Sequence, residues 1–125
     1  MNKYTELSDF EINKKVAINV GGFALSLMVF DDRNEVVKKN IPNIGSRVFT
    51  EFNPCNNPAD AMPIIIENNI SLRAPTITDR WKAEFIDEYG NYIGYRRALN
   101  KNPLRAAMEL FLLMKDAENE TNNKR

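Results

Sequence analysis

The sequence predicts an α+β domain in which a mainly antiparallel sheet, built from two hairpins, packs with three helices. Three amphipathic segments with helix-start signals predict the helices, and two apolar stretches that each turn and return predict the hairpins. The length of 125 residues suits a single domain. We therefore expect one domain over residues 1–118, followed by a polar tail over residues 119–125 that is disordered.

Each predicted helix begins at a capping side chain. Ser8 and Glu11 form a capping-box pattern, and the first helix should run from about Asp9 to Val20. The other two starts are asparagine–proline pairs, which place the asparagine at the N-cap and the proline at the first helical position. These pairs are Asn57-Pro58 and Asn102-Pro103.

The first hairpin is predicted from an almost entirely apolar stretch. Residues 23–30 read as a strand covered on both faces, the polar residues 31–34 form a turn, and the chain returns through Val36 and Val37. A further extended piece is predicted within residues 47–52.

The second hairpin is predicted from strict alternation. Residues 80–87 place Trp81 and Phe85 on one face, residues 89–91 form a turn, and residues 92–96 return. This pattern is typical of a strand that packs one face on a core and presents the other to solvent.

The composition excludes most familiar catalytic chemistry. The chain has no histidine and a single cysteine, Cys55. A Ser-His-Asp triad, a Cys-His pair, a histidine-ligated metal site and an internal disulfide are therefore ruled out. The glycines match no nucleotide-binding spacing. We expect no catalytic residue, no metal site and no cofactor, and hence no enzyme.

Charge and hydropathy indicate where such a protein works. The 17 basic and 17 acidic side chains balance, so an electrostatic partner must meet a local patch. No apolar run reaches the roughly 20 residues of a membrane span, and the first residues lack a secretory signal. Together with the single cysteine, these features predict a cytoplasmic protein without membrane contact.

The most unusual stretch is an asparagine- and proline-rich corner, residues 53–60. Its amides can satisfy backbone groups in a tight turn before a helix, and this structural interpretation is the one that we favour. A functional alternative is that the helix start binds an anion, but Asp60 already occupies the favourable potential of the first turn. If the corner contributes to a partner surface, the candidate residues are Asn53, Cys55 and Asn56.

Cys55 lies just before a helix start, where the pKa of a thiol can fall and its reactivity rise. No histidine is available as its base, and no second cysteine can resolve an oxidised sulfur. We expect a small, partly buried side chain, whose replacement by serine or alanine leaves any activity within a few fold.

The second hairpin is locally basic and aromatic. Between Arg73 and Arg105, basic side chains outnumber acidic ones and aromatic residues are interleaved with them. Single-stranded nucleic acid is bound by such a combination, although an ordinary hairpin with a core face and a solvated face has the same pattern. The candidate partner-binding residues here are Trp81, Arg96 and Arg97.

The third helix has an apolar arc wider than one packing surface needs, because Leu110 and Leu113 extend it. The sheet and the first helix can absorb this arc within one chain, and we favour this monomeric interpretation. The alternative is a homodimer seam through Leu110 and Leu113.

Several segments of the chain form a recognisable set, in which the Asn-Pro-Cys-Asn-Asn string is the most specific. They are residues 7–13, 16–17, 52–57, 59–61 and 63–65, Trp81 and Ala83, and residues 102–107. Together they resemble the NinX-like family of tailed-phage proteins. The resemblance implies an origin in the accessory-gene regions of lambdoid phages and prophages and implies no particular activity. The spacing of helices and strands is also similar to that of phage proteins with an alpha-beta-alpha sandwich, which implies that layering here.

We therefore expect a phage accessory protein that binds an unidentified host or phage protein in the host bacterial cytoplasm. The alternative is a nucleic-acid-binding accessory protein that uses the basic aromatic hairpin, residues 80–97. The two hypotheses differ in salt dependence, because phosphate binding weakens steeply with added salt and a largely apolar contact does not.

Overall fold

A computed structural model of the chain describes residues 2–21, 28–41, 48–86 and 92–123. In these ranges the helices are α1 (Asp9–Gly21), α2 (Pro58–Glu67) and α3 (Pro103–Asn123). The strands are β1 (Met28–Asp31), β2 (Val36–Asn40), β3 (Phe49–Glu51), β4 (Ile70–Arg73), β5 (Trp81–Ile86) and β6 (Tyr92–Asn100). The α+β class predicted from the sequence is confirmed.

The described strands form two antiparallel sheets of three strands each, β1-β2-β3 and β4-β5-β6. Each sheet contains one predicted hairpin and a third strand, which is β3 in the first sheet and β4 in the second. The second hairpin pairs Trp81 with Asn100 and Ala83 with Ala98. Residues 23–27, 87 and 89–91, which belong to the predicted hairpins, lie outside the described residues. The alpha-beta-alpha layering stays a prediction.

The helix starts are where the capping signals place them. In each case a side-chain oxygen accepts a hydrogen bond from a backbone N–H two or three residues further on, which satisfies a donor that the first helical turn leaves free. Ser8 accepts from Glu11 at 3.1 Å, Asn57 from Ala59 at 3.0 Å and Asn102 from Leu104 at 2.9 Å.

Helix α3 is the centre of the domain. It contacts all three strands of the sheet β4-β5-β6, and it also contacts α1 and α2. Residues 105–112 are consequently buried without interruption, on every side of the helix. The wide apolar arc predicted from the sequence is explained by this position, because packing partners of the same chain surround the helix.

The end of α3 differs from the sequence prediction. We expected a disordered tail from residue 119, but the helix continues to Asn123. Ala117 and Glu118 favour the helical conformation and allow the helix to continue beyond its buried part.

No helix among the described residues combines the length and the apolar character that crossing a membrane requires.

Candidate functional site

The asparagine- and proline-rich corner lies where the starts of the three helices meet. On the side of α1, the Asn13 side-chain N–H donates to Asn53 Oδ1 at 2.8 Å, and the backbone N–H of Cys55 donates to Asn13 Oδ1 at 3.1 Å. Asn13 is buried. Since a buried amide is costly unless it is hydrogen-bonded, these contacts fix α1 to the corner.

The start of α3 is tied to the same corner. Asn102 Nδ2 donates to the carbonyl of Cys55 at 2.7 Å and to Asn56 Oδ1 at 3.2 Å. Asn56 Nδ2 in turn donates to Asp9 Oδ2, in the first turn of α1, at 3.1 Å. The candidate residues Asn53, Cys55 and Asn56 therefore form hydrogen bonds that join helices of this chain.

The first turn of α2 contains a carboxylate, Asp60, that already has partners within the chain. Asp60 Oδ2 accepts from the backbone N–H of Asn53 at 2.9 Å, and Asp60 Oδ1 lies 2.8 Å from Lys39 Nζ. The carboxylate is buried and engaged at both oxygens. An external anion would have to compete with this charge, so the contacts support the structural interpretation of the corner.

Cys55 is fully buried. Burial, followed by the negative charge of Asp9, raises the pKa of the Cys55 thiol to about 12. A thiol with such a pKa stays protonated near neutral pH and is a poor nucleophile. The proximity to a helix start therefore does not activate Cys55.

The raised pKa of Cys55 predicts a loss of stability at alkaline pH. The folded protein holds the thiol proton more tightly than the unfolded chain, whose thiol has a pKa of about 8.5. Unfolding thus releases a proton, and the free energy of unfolding should fall as the pH rises from about 9 toward 12. Urea denaturation at pH 8, 9, 10 and 11 measures this decline, which should be smaller in the variant Cys55→Ala.

Tyr4 requires a control in this experiment. Burial and a hydrogen bond to Asp116 also raise the pKa of Tyr4, so its ionisation destabilises the fold at high pH as well. The comparison of wild type and Cys55→Ala is therefore repeated in a Tyr4→Phe background. Equal alkaline declines with and without Cys55 in both backgrounds would contradict the prediction.

Arg105 is the buried centre of a second network, close to the corner. Its Nη1 donates to Asp9 Oδ1 at 2.6 Å and its Nε to Glu109 Oε2 at 2.9 Å, while Nη2 donates to the carbonyls of Tyr4 at 3.0 Å and Leu7 at 2.7 Å. Burial lowers the pKa of Arg105, but the hydrogen bonds to Asp9 and Glu109 outweigh it and raise the pKa above its usual value. The guanidinium therefore remains charged.

Glu109 completes this network. It is fully buried, and its Oε1 accepts from Asn2 Nδ2 at 3.1 Å, while Oε2 also accepts from Asn100 Nδ2 at 3.4 Å. The network joins the N-terminal segment, β6 and α3. Sequence reasoning did not find it, although one signal was present: Arg105 and Glu109 are an i,i+4 pair of opposite charge within an apolar helical stripe.

A solvent-accessible depression lies at the sheet β4-β5-β6, beside the connection between β4 and β5. A cavity of about 550 Å³ is bounded by residues 74–80 together with Arg73 and Lys82. A neighbouring cavity of about 320 Å³ is lined by residues 97–99 of β6, and both cavities include Arg80 and Leu99. We call the two adjoining cavities the basic groove. The second cavity is also lined by Asn2, Thr5, Arg97, Ala98 and Leu113.

Two cations of the basic groove are available to a ligand. Arg80 and Arg97 are exposed, and neither has an ion-pair partner within the described part of the chain. The acidic residue in the lining, Asp79, lies 3.1 Å from Lys101 Nζ, and the hydrogen bond from Lys101 lowers the pKa of Asp79. The groove therefore presents an excess of positive charge.

The remaining two cations share one buried carboxylate. Arg73 Nη2 lies 3.4 Å from Glu84 Oε2, and Lys82 Nζ lies 3.8 Å from Glu84 Oε1. Glu84 is buried, and its Oε1 has no hydrogen-bond partner within the described residues. Glu84 thus partly neutralises this side of the groove and positions Arg73 and Lys82 at its wall.

Trp81 lies on the opposite face of the sheet from Lys82. Side chains alternate along a strand, and Trp81 pairs with Asn100, which reaches Glu109 on α3. The half-buried Trp81 therefore faces α3 rather than the basic groove. Of the candidates on this hairpin, Arg97 lines the groove, and the side chain of Arg96 lies outside the described part of the structure.

The two candidate self-association residues are in different environments. Leu110 is fully buried within this chain and is not available to a second copy, whereas Leu113 is half-buried and lines the basic groove. Self-association stays a prediction, and it rests on Leu113. The structure brings Arg97 and Leu113 into the lining of one cavity, and no corner residue is among the described residues of that lining.

Among the described residues, no three or more His, Cys, Asp or Glu side chains are grouped so that they could hold a metal ion.

Comparison with known proteins gives one result. A family model described as "Bacteriophage P22, NinX" matches residues 3–115, which is most of the chain. No curated protein and no solved structure matches this chain. All the sequence segments that resemble the NinX-like family lie within the matched range.

Proposed function

This chain belongs to the bacteriophage P22 NinX family, and we propose that it is a phage accessory protein that binds a protein partner in the host cytoplasm and catalyses no reaction. The observation that supports this proposal is the mixed apolar and cationic surface of the basic groove. Ile77 is 97% exposed and Leu99 is 41% exposed, and both line the same cavity as Arg80.

Such a surface is typical of a protein interface. Arginine is enriched at interfaces, and exposed apolar side chains that gather in one depression gain free energy when a partner covers them. The corner does not offer this combination, because its amides are engaged within the chain. We therefore assign partner binding to the basic groove and a structural role to the corner.

Binding of nucleic acid is the second candidate, because Arg80 and Arg97 can contact phosphates. Recognition of single strands also uses aromatic faces on which bases stack. Trp81, which we expected in this role, lies on the α3 side of the sheet, and the tyrosine side chains of the hairpin lie outside the described part of the structure. Because no described residue of the groove is aromatic, we favour a polypeptide over a nucleic acid as its occupant.

The proposal predicts that reversing two charges of the basic groove abolishes partner capture. Tagged wild type, Arg80→Glu/Arg97→Glu and the control Arg33→Glu are each expressed in infected cells and purified by affinity. Arg33 is an exposed arginine in the β1–β2 turn, far from the groove in the sequence. Wild type and control should retain the same protein, and the double variant should retain at least ~10-fold less of it.

Nuclease and salt distinguish the two candidates. A protein contact should survive nuclease treatment and weaken only moderately with salt. A nucleic-acid bridge should disappear with nuclease, and a complex with several phosphate contacts should weaken by orders of magnitude between about 50 and 200 mM salt. Capture that is lost with nuclease, or that is unchanged in the double variant, would contradict the proposal.

A further inference from the structure

We propose that the basic groove binds an extended acidic segment of the partner, which adds a strand to the edge of β6 that pairs with no strand among the described residues. This inference rests on the proposed function and specifies the chemistry of the partner. Three observations support it. They are the position of β6 in its sheet, the charges around the edge of β6, and the difference in polarity between the two sides of this edge.

The first observation is that β6 is an edge strand. Within the described residues β6 pairs with β5 and with no other strand, and it is nine residues long. Alternate residues of such a strand direct backbone N–H and C=O groups away from the sheet, where an extended peptide can pair with them. Three consecutive residues of β6, 97–99, line the second cavity of the basic groove, and since successive side chains point to opposite faces, the cavity is reached from both faces of this strand.

The second observation is the charge at this edge. Arg80 and Arg97 line the cavity and have no ion-pair partner among the described residues, and none of the described residues in its lining is acidic. Asp79, which is next to Arg80, is paired with Lys101, so carboxylates of a bound segment would give Arg80 and Arg97 the ion pairs that they lack among the described residues. Charge complementarity therefore favours an acidic occupant over a neutral or a basic one.

The third observation is that the two sides of the edge differ in polarity. Arg97 and Leu99 share the face of the sheet that carries Lys82, whereas Ala98 and Leu113 lie on the α3 side. Successive side chains of an added strand point to opposite faces. An occupant should therefore alternate, with acidic residues on the Arg97 side and small apolar residues on the Leu113 side.

The test is a selection from a library of random ten-residue peptides on the immobilised full-length chain. We expect the selected peptides to carry Asp or Glu at alternate positions, with apolar residues between them. The best peptide is then labelled, and its affinity is measured by fluorescence anisotropy. The Arg80→Glu/Arg97→Glu variant should bind it at least ~10-fold more weakly, and Arg33→Glu should bind it like the wild type.

N-methylation of the peptide tests strand addition itself. Two versions of the selected peptide carry N-methyl groups on complementary sets of alternate residues. Only one set can donate to β6, so one version should lose binding and the other should retain it. Equal affinity of the two versions would show that no strand is added and would overturn the inference.

Other outcomes separate this inference from the proposed function. Peptides selected without acidic residues, or tighter binding of a twelve-nucleotide DNA strand than of any peptide, would overturn the inference. If capture of a protein from infected cells nevertheless depends on Arg80 and Arg97, the proposed function stands and only the acidic strand is wrong. If that capture is also absent, both are wrong.

Discussion

The replacement Arg105→Met is expected to lower the free energy of unfolding by about 3–5 kcal/mol, because it leaves the buried carboxylate of Glu109 without its cationic partner. Methionine keeps much of the volume of the arginine stem, so the loss comes mainly from the missing charge and hydrogen bonds. The carbonyls of Tyr4 and Leu7 also lose the hydrogen bonds from Arg105 Nη2, although the Tyr4 carbonyl keeps the one from the backbone N–H of Leu7. Urea denaturation followed by circular dichroism measures the change.

A second substitution separates the ion pair from the packing. In Arg105→Met/Glu109→Leu no buried charge is left unpaired, and replacing a buried pair by apolar residues is often nearly neutral. The double variant should therefore recover a large part of the stability. Arg33→Met, at an exposed position, should stay within about 0.5 kcal/mol of the wild type. A loss below about 1 kcal/mol in Arg105→Met would show that the network contributes little.

The second large effect is expected at Leu110, where Leu110→Ala should cost about 2–5 kcal/mol because the side chain is fully buried in the core. Leu113→Ala removes the same atoms from a half-buried side chain on the same helix, so it should cost about 1 kcal/mol. Urea denaturation of the two variants measures the difference. Comparable losses would mean that the two leucines are buried to a similar extent in solution.

Light scattering on a lysine variant at Leu113 tests the prediction of self-association. If the chain forms a dimer, Leu113→Lys should shift it toward the monomer, since Leu113 lines a surface depression. Leu110→Lys is not an informative disruption, because a lysine at a fully buried position unfolds the chain whether or not it dimerises.

The helix starts could be predicted because their signals are local. Asn57 and Asn102 accept hydrogen bonds from residues two positions away, so the pattern needs no knowledge of the remaining fold. The alternation of β5 is local in the same sense. The sequence also indicated that the corner amides satisfy backbone groups, although it could not show that their partners are on other helices.

The Arg105 network and the basic groove could not be predicted, because they join residues that are distant in the sequence. Asp9 is 96 positions from Arg105 and 47 positions from Asn56 in the sequence, and it forms hydrogen bonds with both. Leu113 and Arg97 lie in one cavity only because α3 packs against β6. The periodicity indicates a wide apolar arc on α3. Such an arc is expected whether a second copy of the chain or other elements of the same chain cover it, so the pattern could not distinguish the two.

The central position of α3 has a consequence for how the chain folds as it is synthesised. Both other helices and the sheet β4-β5-β6 pack on α3, which follows all of them in the chain. While the ribosome has not yet released residues 103–114, the preceding elements have no common core to pack on. The N-terminal segment also lacks its hydrogen bonds to Arg105 and Glu109 until α3 is present. Folding around α3 is therefore a late event that follows its translation, and a chain interrupted before this helix exposes the apolar faces of α1, α2 and the sheet β4-β5-β6 that pack on it.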